Sequence, residues 1–252
     1  MKSWHEIGFC VEITGDGSPS LRIAEAKAIL GARPEAMHHS GGACSETLLI
    51  YGNPVKDTLT SVKNPRFLVV GLGLGYIEMT IAREALLLRK DPSEIASIKS
   101  FEIVPELREF FINWLWENTV PANTEVNTIY DKVLSSLTAG TELEGHAIKN
   151  FLKTFFKKSS DIGSAIENEE NINYVNDCIL YDAFSSKTNP TLWDENFLVA
   201  FLSRAAAQKC IFSTYACRGS LKRALKTCGF VVVVREGFQG KRNSTYAIRQ
   251  GG

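Results

Sequence analysis

Phe67-Leu68-Val69-Val70-Gly71-Leu72-Gly73-Leu74-Gly75-Tyr76-Ile77-Glu78 is the stretch from which the rest of the chain is read. The apolar run from Phe67 to Val70 stops at three alternate glycines, and Ile77, Ala82, Leu86 and Leu87 follow at roughly helical spacing. That predicts strand, tight turn, helix. A second apolar run, Ile98 to Glu102, ends on a carboxylate after one helical crossover. This is the layout of the first βαβ unit of a nucleotide- or cofactor-binding α/β domain. Gly71, Gly73 and Gly75 let backbone approach a ligand, and the helix start offers unsatisfied N–H groups. Glu102, at the tip of the next parallel strand, is placed to accept both hydroxyls of a ribose.

Spacing narrows the ligand. A dinucleotide loop runs G-x-G-x-x-G, with its third small residue packing helix on strand. Here the pattern is G-x-G-x-G, which favours the loop of an S-adenosylmethionine-dependent methyltransferase, whose ligand has a ribose but no pyrophosphate. A tight βα turn that binds nothing is the alternative reading of the same residues.

Working outward, strands are expected near 67–70, 98–103, 126–129, 177–182, 210–214, 230–235 and 244–249, and helices near 76–89, 105–117, 194–207 and 218–228. The alternation predicts a doubly wound α/β sheet. Val231 to Arg235 and Ser244 to Ile248 are joined by a glycine-containing loop without a helix, so one of them is expected to run antiparallel. Residues 1–60 form a β-rich extension, with Thr14 to Pro19 as the turn between two short strands, and residues 61–252 form the main domain. A helical insertion near 138–175 interrupts the scheme. In it Phe151, Leu152, Phe155 and Phe156 make one face, while Lys149, Lys153 and Lys157 recur every four residues on the other. That stripe reads as a solvated face, with an RNA-facing surface as the second option. The acidic, Asn-rich stretch from Glu167 to Asn176 reads as a loop.

The chain's 252 residues, 44% apolar, suffice for one full-sized α/β domain with a small appendage. Lys plus Arg and Asp plus Glu balance at 28 each, so net charge names no partner. From Arg204 onward, however, ten basic residues face one acid, Glu236, a distribution that suits a phosphate-facing surface or a compensated solvated face. Six cysteines without a C-x-x-C pair predict buried thiols of a reducing compartment. His38 and His39 lie among glycines with no carboxylate at ligand spacing, so they predict a substrate pocket or polar loop and not a metal site. No run of about 18 apolar residues and no secretory signal is present, which sets the expectation of a cytoplasmic protein without a membrane span.

The most specific stretch is Asp182-Ala183-Phe184-Ser185-Ser186-Lys187-Thr188-Asn189-Pro190-Thr191-Leu192-Trp193, at the carboxyl end of the strand Cys178 to Tyr181. Together with Ser45-Glu46-Thr47, the glycine loop and Gly237-Phe238-Gln239-Gly240-Lys241-Arg242, it resembles the methyltransferase domain of the MnmC family. Those enzymes methylate the aminomethyl group on the wobble uridine of certain tRNAs. The resemblance runs from about Ser40 to Arg242, apart from 138–175. It implies a class I, Rossmann-like doubly wound sheet ending in an antiparallel hairpin. It also implies S-adenosylmethionine as cofactor and tRNA as partner, with a flavin oxidase as a separate protein of the same modification. By this resemblance the methionine part of the cofactor lies against Gly71, Gly73 and Gly75 and its ribose on Glu102. Asp131, near the end of the third strand, borders the adenine. Asp182 stands beside the transferred methyl and acts on the amine, Phe184, Asn189, Pro190 and Trp193 shape the substrate pocket, and Lys241 and Arg242 form a basic pair. Val69, Leu74, Ile77 and Tyr130 stand where the family has an acid, a small or polar residue, Asn and Gly. Two other functions stay open on the residues alone: a methyltransferase-fold binding module for RNA or protein that has lost its cofactor, and a small-molecule methyltransferase.

Overall fold

The computed structural model describes residues 2–24, 34–117, 124–166, 175–240 and 243–251. The N-terminal strands β1 (Phe9–Ile13) and β2 (Pro19–Ile23) pair antiparallel. Their turn is locked by Asp16, whose Oδ1 accepts from the Thr14 hydroxyl at 2.9 Å and from Ser18 N at 3.0 Å. The other oxygen accepts from Ser45 N at 2.9 Å, inside helix α1 (Ala43–Thr47). Burial pushes the Asp16 carboxyl up, but bonds from Ser18 and Ser45 outweigh it and hold the group well below the usual carboxylate range. One carboxylate thus ties the hairpin to the first helix.

The main sheet consists of β3 (Arg66–Val70), β4 (Ser97–Phe101), β5 (Ile162–Gly163), β6 (Asn176–Tyr181), β7 (Ala206–Thr214), β8 (Val231–Arg235) and β9 (Ser244–Arg249). Their spatial order is β5-β4-β3-β6-β7-β9-β8. Neighbours are parallel from β5 to β7, while β9 runs antiparallel to both β7 and β8. The expected antiparallel partner is therefore the last strand, inserted inside the penultimate one. Successive side chains of a strand point to opposite faces. Accordingly Phe67 and Val69 join one apolar cluster, and Leu68 and Val70 the other.

The first cluster packs under α1, a wider π-type turn (Leu48–Gly52), α2 (Asn53–Ser61), α3 (Tyr76–Leu87), α4 (Pro105–Trp116), α5 (Thr124–Thr138) and α6 (Gly145–Lys153). The second packs under α7 (Glu195–Ala205) and α8 (Gly219–Thr227). Both faces of β6 are covered, and all six of its residues are buried, as a central parallel strand requires. Among the described residues no helix is long and apolar enough to cross a membrane.

Two sequence expectations are corrected here. Residues 126–129 are not a strand but lie in α5, where Val126, Ile129, Tyr130, Val133, Leu134 and Leu137 are buried at helical spacing. The strand beside β4 is β5, only two residues long and reached after α4, α5 and α6. Asp131 is consequently a helix residue and not a strand-tip acid. The lysine stripe is also accounted for by packing: Lys149 Nζ lies 4.6 Å from the Trp114 ring centre and 3.3 Å from a Glu117 oxygen, and Lys153 Nζ lies 5.5 Å from the Trp116 ring.

Candidate active site

A cavity opens at the carboxyl ends of β3, β4 and β6, where open α/β sheets bind ligands. Gly71, Leu72, Gly73 and Leu74 of the glycine loop line it, and Gly75 caps the start of α3 outside that lining. Gly71 has φ 94°, and a Cβ there would lie 2.5 Å from the Asp182 carbonyl oxygen. Gly75 has φ 72°, and its Cβ would meet the Phe111 ring at 2.6 Å. Both positions therefore demand glycine twice over, by conformation and by space.

Glu102 is buried at the tip of β4, with Oε2 accepting from Gly73 N at 3.0 Å and Oε1 from Val104 N at 2.9 Å. Burial pushes its pKa up, opposed by those two N–H groups and by the Arg108 charge. Each oxygen keeps acceptor capacity for one more donor. Beside it Phe101, Ile103, Ala165 and Ile166 offer apolar walls suited to a flat ring, and the residue following β5 in this wall is Ser164.

Asp182 follows β6 on the other side of β3. Its Oδ1 accepts from the Tyr51 hydroxyl at 2.6 Å, a contact between residues 131 apart in sequence. Burial pushes the Asp182 carboxyl up to about 7, the Tyr51 hydrogen bond opposes this, and the nearby Glu46 charge adds to the rise. Tyr51 itself is buried and raised well above the ordinary tyrosine value by burial and the Asp182 charge, so it remains a donor.

The other anticipated residues divide. Phe184 and Asn189 line the cavity. Trp193 is buried and stands behind it, its Nε1 donating to the Phe184 carbonyl at 2.7 Å, so it props that loop. Pro190 is exposed, just before the single turn Thr191–Trp193, and is not part of the wall. Asp131 Oδ1 accepts from Trp114 Nε1 at 2.8 Å and takes no part in lining the cavity. Lys241 and Arg242 lie outside the described residues.

Three lining or anchoring residues were not anticipated, Glu35, Met37 and Tyr51, while His38, for which a substrate pocket was one of two expectations, also lines the cavity. Glu35 accepts from Ser185 N at 3.1 Å and Ser185 Oγ at 3.0 Å, and also from the Thr188 hydroxyl, strapping the N-terminal segment to the loop after Asp182. Met37 Sδ would lie 3.2 Å from a Cβ on Gly73. His38 Nδ1 is 3.0 Å from Ser20 Oγ, and burial lowers its pKa to about 4, which keeps the ring neutral near pH 7. Only the His-His-Ser-Gly-Gly tract carried a sequence signal for this wall.

The residues present fit S-adenosylmethionine. A strand-tip carboxylate with spare acceptor capacity suits a ribose, the side-chain-free loop suits close approach, and the apolar walls suit an adenine. Comparisons with known proteins agree. Residues 123–250 match a family described as S-adenosyl-L-methionine-dependent methyltransferase. The uncharacterized protein MJ0670 of Methanocaldococcus jannaschii is 25% identical over 249 residues, covering 94% of this chain and 58% of that protein. The tRNA 5-methylaminomethyl-2-thiouridine biosynthesis bifunctional protein MnmC of Azoarcus sp. (strain BH72) is 28% identical over 218 residues, covering 82% of this chain and 32% of that protein. The chain thus spans little more than half of the first relative and about a third of the second. The crystal structure of MNMC2 from Aquifex aeolicus superposes with a TM-score of 0.63 at 23% identity, covering 97% of this chain and 72% of that one, and confirms the fold. With fold, cavity and family match in agreement, the chain belongs to the MnmC-like family of S-adenosyl-L-methionine-dependent methyltransferases.

Proposed function

We propose that this methyltransferase acts on the aminomethyl group of a tRNA wobble uridine. The single observation that carries the reading is Asp182, held by Tyr51 at the edge of the cofactor cavity with its pKa raised to about 7. The MnmC relatives, whose name places them in 5-methylaminomethyl-2-thiouridine biosynthesis, support the choice of substrate.

An alkylamine arrives protonated near pH 7 and must shed a proton before its nitrogen can attack. Asp182, half ionised near that pH, accepts it. The deprotonated nitrogen then presents its lone pair as the nucleophile. When bound, S-adenosylmethionine supplies the electrophilic methyl on a sulfonium whose departure needs no acid. Tyr51 keeps the Asp182 carboxylate pointed into the cavity, and Phe184 and Leu192 give it a dry wall. Glu102 and the glycine loop hold the cofactor end. The basic final fifth of the chain offers phosphate contacts: Arg218 lines the outer cleft and Lys222 follows on α8, whereas Arg223 is paired with Glu195 at 2.7 Å.

The test is incubation with S-adenosylmethionine and separate pools of unmodified and aminomethylated tRNA, then nuclease digestion and mass spectrometry of the wobble nucleoside. One added methyl on aminomethyl-uridine is expected. Calorimetric binding of the cofactor with no methylated wobble nucleoside from any pool would overturn the tRNA reading and leave a small-molecule acceptor.

A further inference from the structure

Three cavities adjoin one another through shared lining residues. The cofactor cavity shares Met37, His38, Asp182 and Tyr215 with a smaller middle passage, and the passage shares His39, Glu46, Ile50 and Tyr215 with an outer cleft. The outer cleft has aromatic sides: His39 meets Phe238 edge to face at 5.5 Å, and Trp193 meets Tyr215 at 6.1 Å. Glu46 lines both that cleft and the passage that Asp182 lines, so an acceptor entering by the cleft meets it on the way to Asp182. Glu46 comes from α1, half-buried, with Oε2 accepting from His39 N at 2.7 Å, so its carboxylate is fixed in the wall and not waving in solvent.

We propose that Glu46 is a specificity-determining residue, whose carboxylate in the passage selects acceptors carrying a cationic amine arm and directs that arm to Asp182. The inference rests on the amine-methylation reading and adds to it a discrimination step separate from chemistry. A buried passage with a fixed negative charge favours an ammonium over a neutral hydroxyl of the same size, because charge-assisted hydrogen bonds are the stronger ones. The same charge acts on Asp182. The titratable groups around that carboxyl are Tyr51, Glu46, His38, His39 and Tyr215 in the passage, Glu35 and Glu102 in the cofactor cavity and Glu78 behind the glycine loop, and the charge that adds to the upward push of burial on Asp182 is that of Glu46.

The experiment compares two synthetic anticodon stem-loops, one with aminomethyl-uridine and one with hydroxymethyl-uridine at the wobble position, as competitors for binding to the full chain with cofactor present. Wild type is expected to prefer the amine by about ten- to a hundredfold. Glu46→Gln keeps an oxygen for His39 N and removes the charge, so it should lose most of that preference, while Glu46→Asp should restore part of it. The acid limb of kcat/KM against pH should also move to lower pH in Glu46→Gln, a change that a purely structural role would not produce. Equal discrimination by wild type and a folded Glu46→Gln protein overturns the proposal, whether or not methyl transfer is seen. Discrimination lost in the variant without methyl transfer in wild type supports Glu46 and sinks the reaction instead. If Glu46→Gln does not fold, Glu46→Asp decides, since undiminished wild-type preference with the carboxylate withdrawn by one methylene would overturn the assignment.

Discussion

Glu102 and Asp182 stand at the tips of the two strands that flank β3, and they are held in opposite ways. Glu102 receives backbone N–H groups on both oxygens, from Gly73 and Val104, and both donors belong to the fold itself. Asp182 receives one side-chain hydroxyl, from Tyr51, delivered by the N-terminal segment. Burial raises both carboxyls; at Glu102 two backbone N–H groups and the Arg108 charge oppose it, whereas at Asp182 one phenol opposes it and the Glu46 charge adds to the rise, to about 7. The first arrangement suits a fixed acceptor and the second suits proton transfer. Two acids at equivalent strand tips thus differ in the number and origin of their donors, a difference that suits them to different roles.

The largest expected effect comes from Asp182→Asn, which should lower methyl transfer by about a hundred- to ten-thousandfold while leaving the cofactor dissociation constant unchanged by calorimetry. Full activity in this variant would erase the contrast. Next, Glu102→Ala should weaken cofactor binding by about ten- to a hundredfold, since hydrogen bonds to charged groups are worth roughly 1.5–3 kcal/mol. An unchanged dissociation constant would remove the ribose role.

Tyr51→Phe sharpens the comparison. The Tyr51 bond lowers the Asp182 pKa, so losing it raises that pKa further and moves the acid limb of the kcat/KM profile to higher pH. Activity at pH 7 should fall by about two- to fivefold, for a shift of roughly half to one pH unit, and recover in alkaline buffer. A profile that keeps its midpoint would show that the bond does not tune the carboxyl.

The smallest effect is on stability. Glu78, fully buried with Oε1 accepting from Ser100 Oγ at 2.6 Å, is pushed up to about 8 by burial, with the Ser100 bond opposing. A raised acid binds its proton more tightly in the fold than in the unfolded chain, so the fold loses stability as pH rises from about 4.5 through about 8. Glu78→Gln should match wild type below that window and melt higher above it, by about 2–4 °C for each kcal/mol recovered. Parallel melting curves across the window would place Glu78 as ionised at neutral pH.

The parts of this site built from neighbouring residues were legible in the sequence. The glycine loop, Glu102 and the Asp182 stretch each lie within one strand-loop unit, where a run of apolar residues and its terminating glycine or acid appear side by side. Long-range partners left no such mark: Tyr51 meets Asp182 across 131 residues and Glu35 meets Ser185 across 150. The misplaced third strand has its own cause. Val126 to Ile129 is rich in β-branched side chains, yet the apolar spacing continues to Leu137 with helical period, while the true strand has only two residues and no periodicity to read. Asp131 followed that strand into the wrong place.

The position of β9 governs the order in which the sheet can close. Among the described residues β8 pairs with β9 alone, and β9 fills the edge of β7 from Cys210 opposite Arg249 to Thr214 opposite Thr245. A chain made from its N-terminus presents β7 as an open, largely apolar edge until Ser244 to Arg249 has been synthesised, and β8 must wait beside it for a strand to slide between them. Unpaired edges recruit other strands, so this interval is when a nascent chain is most exposed to joining its neighbours on a polysome. Emergence of Ser244 to Arg249, more than any packing of the helices, is the step that closes this edge.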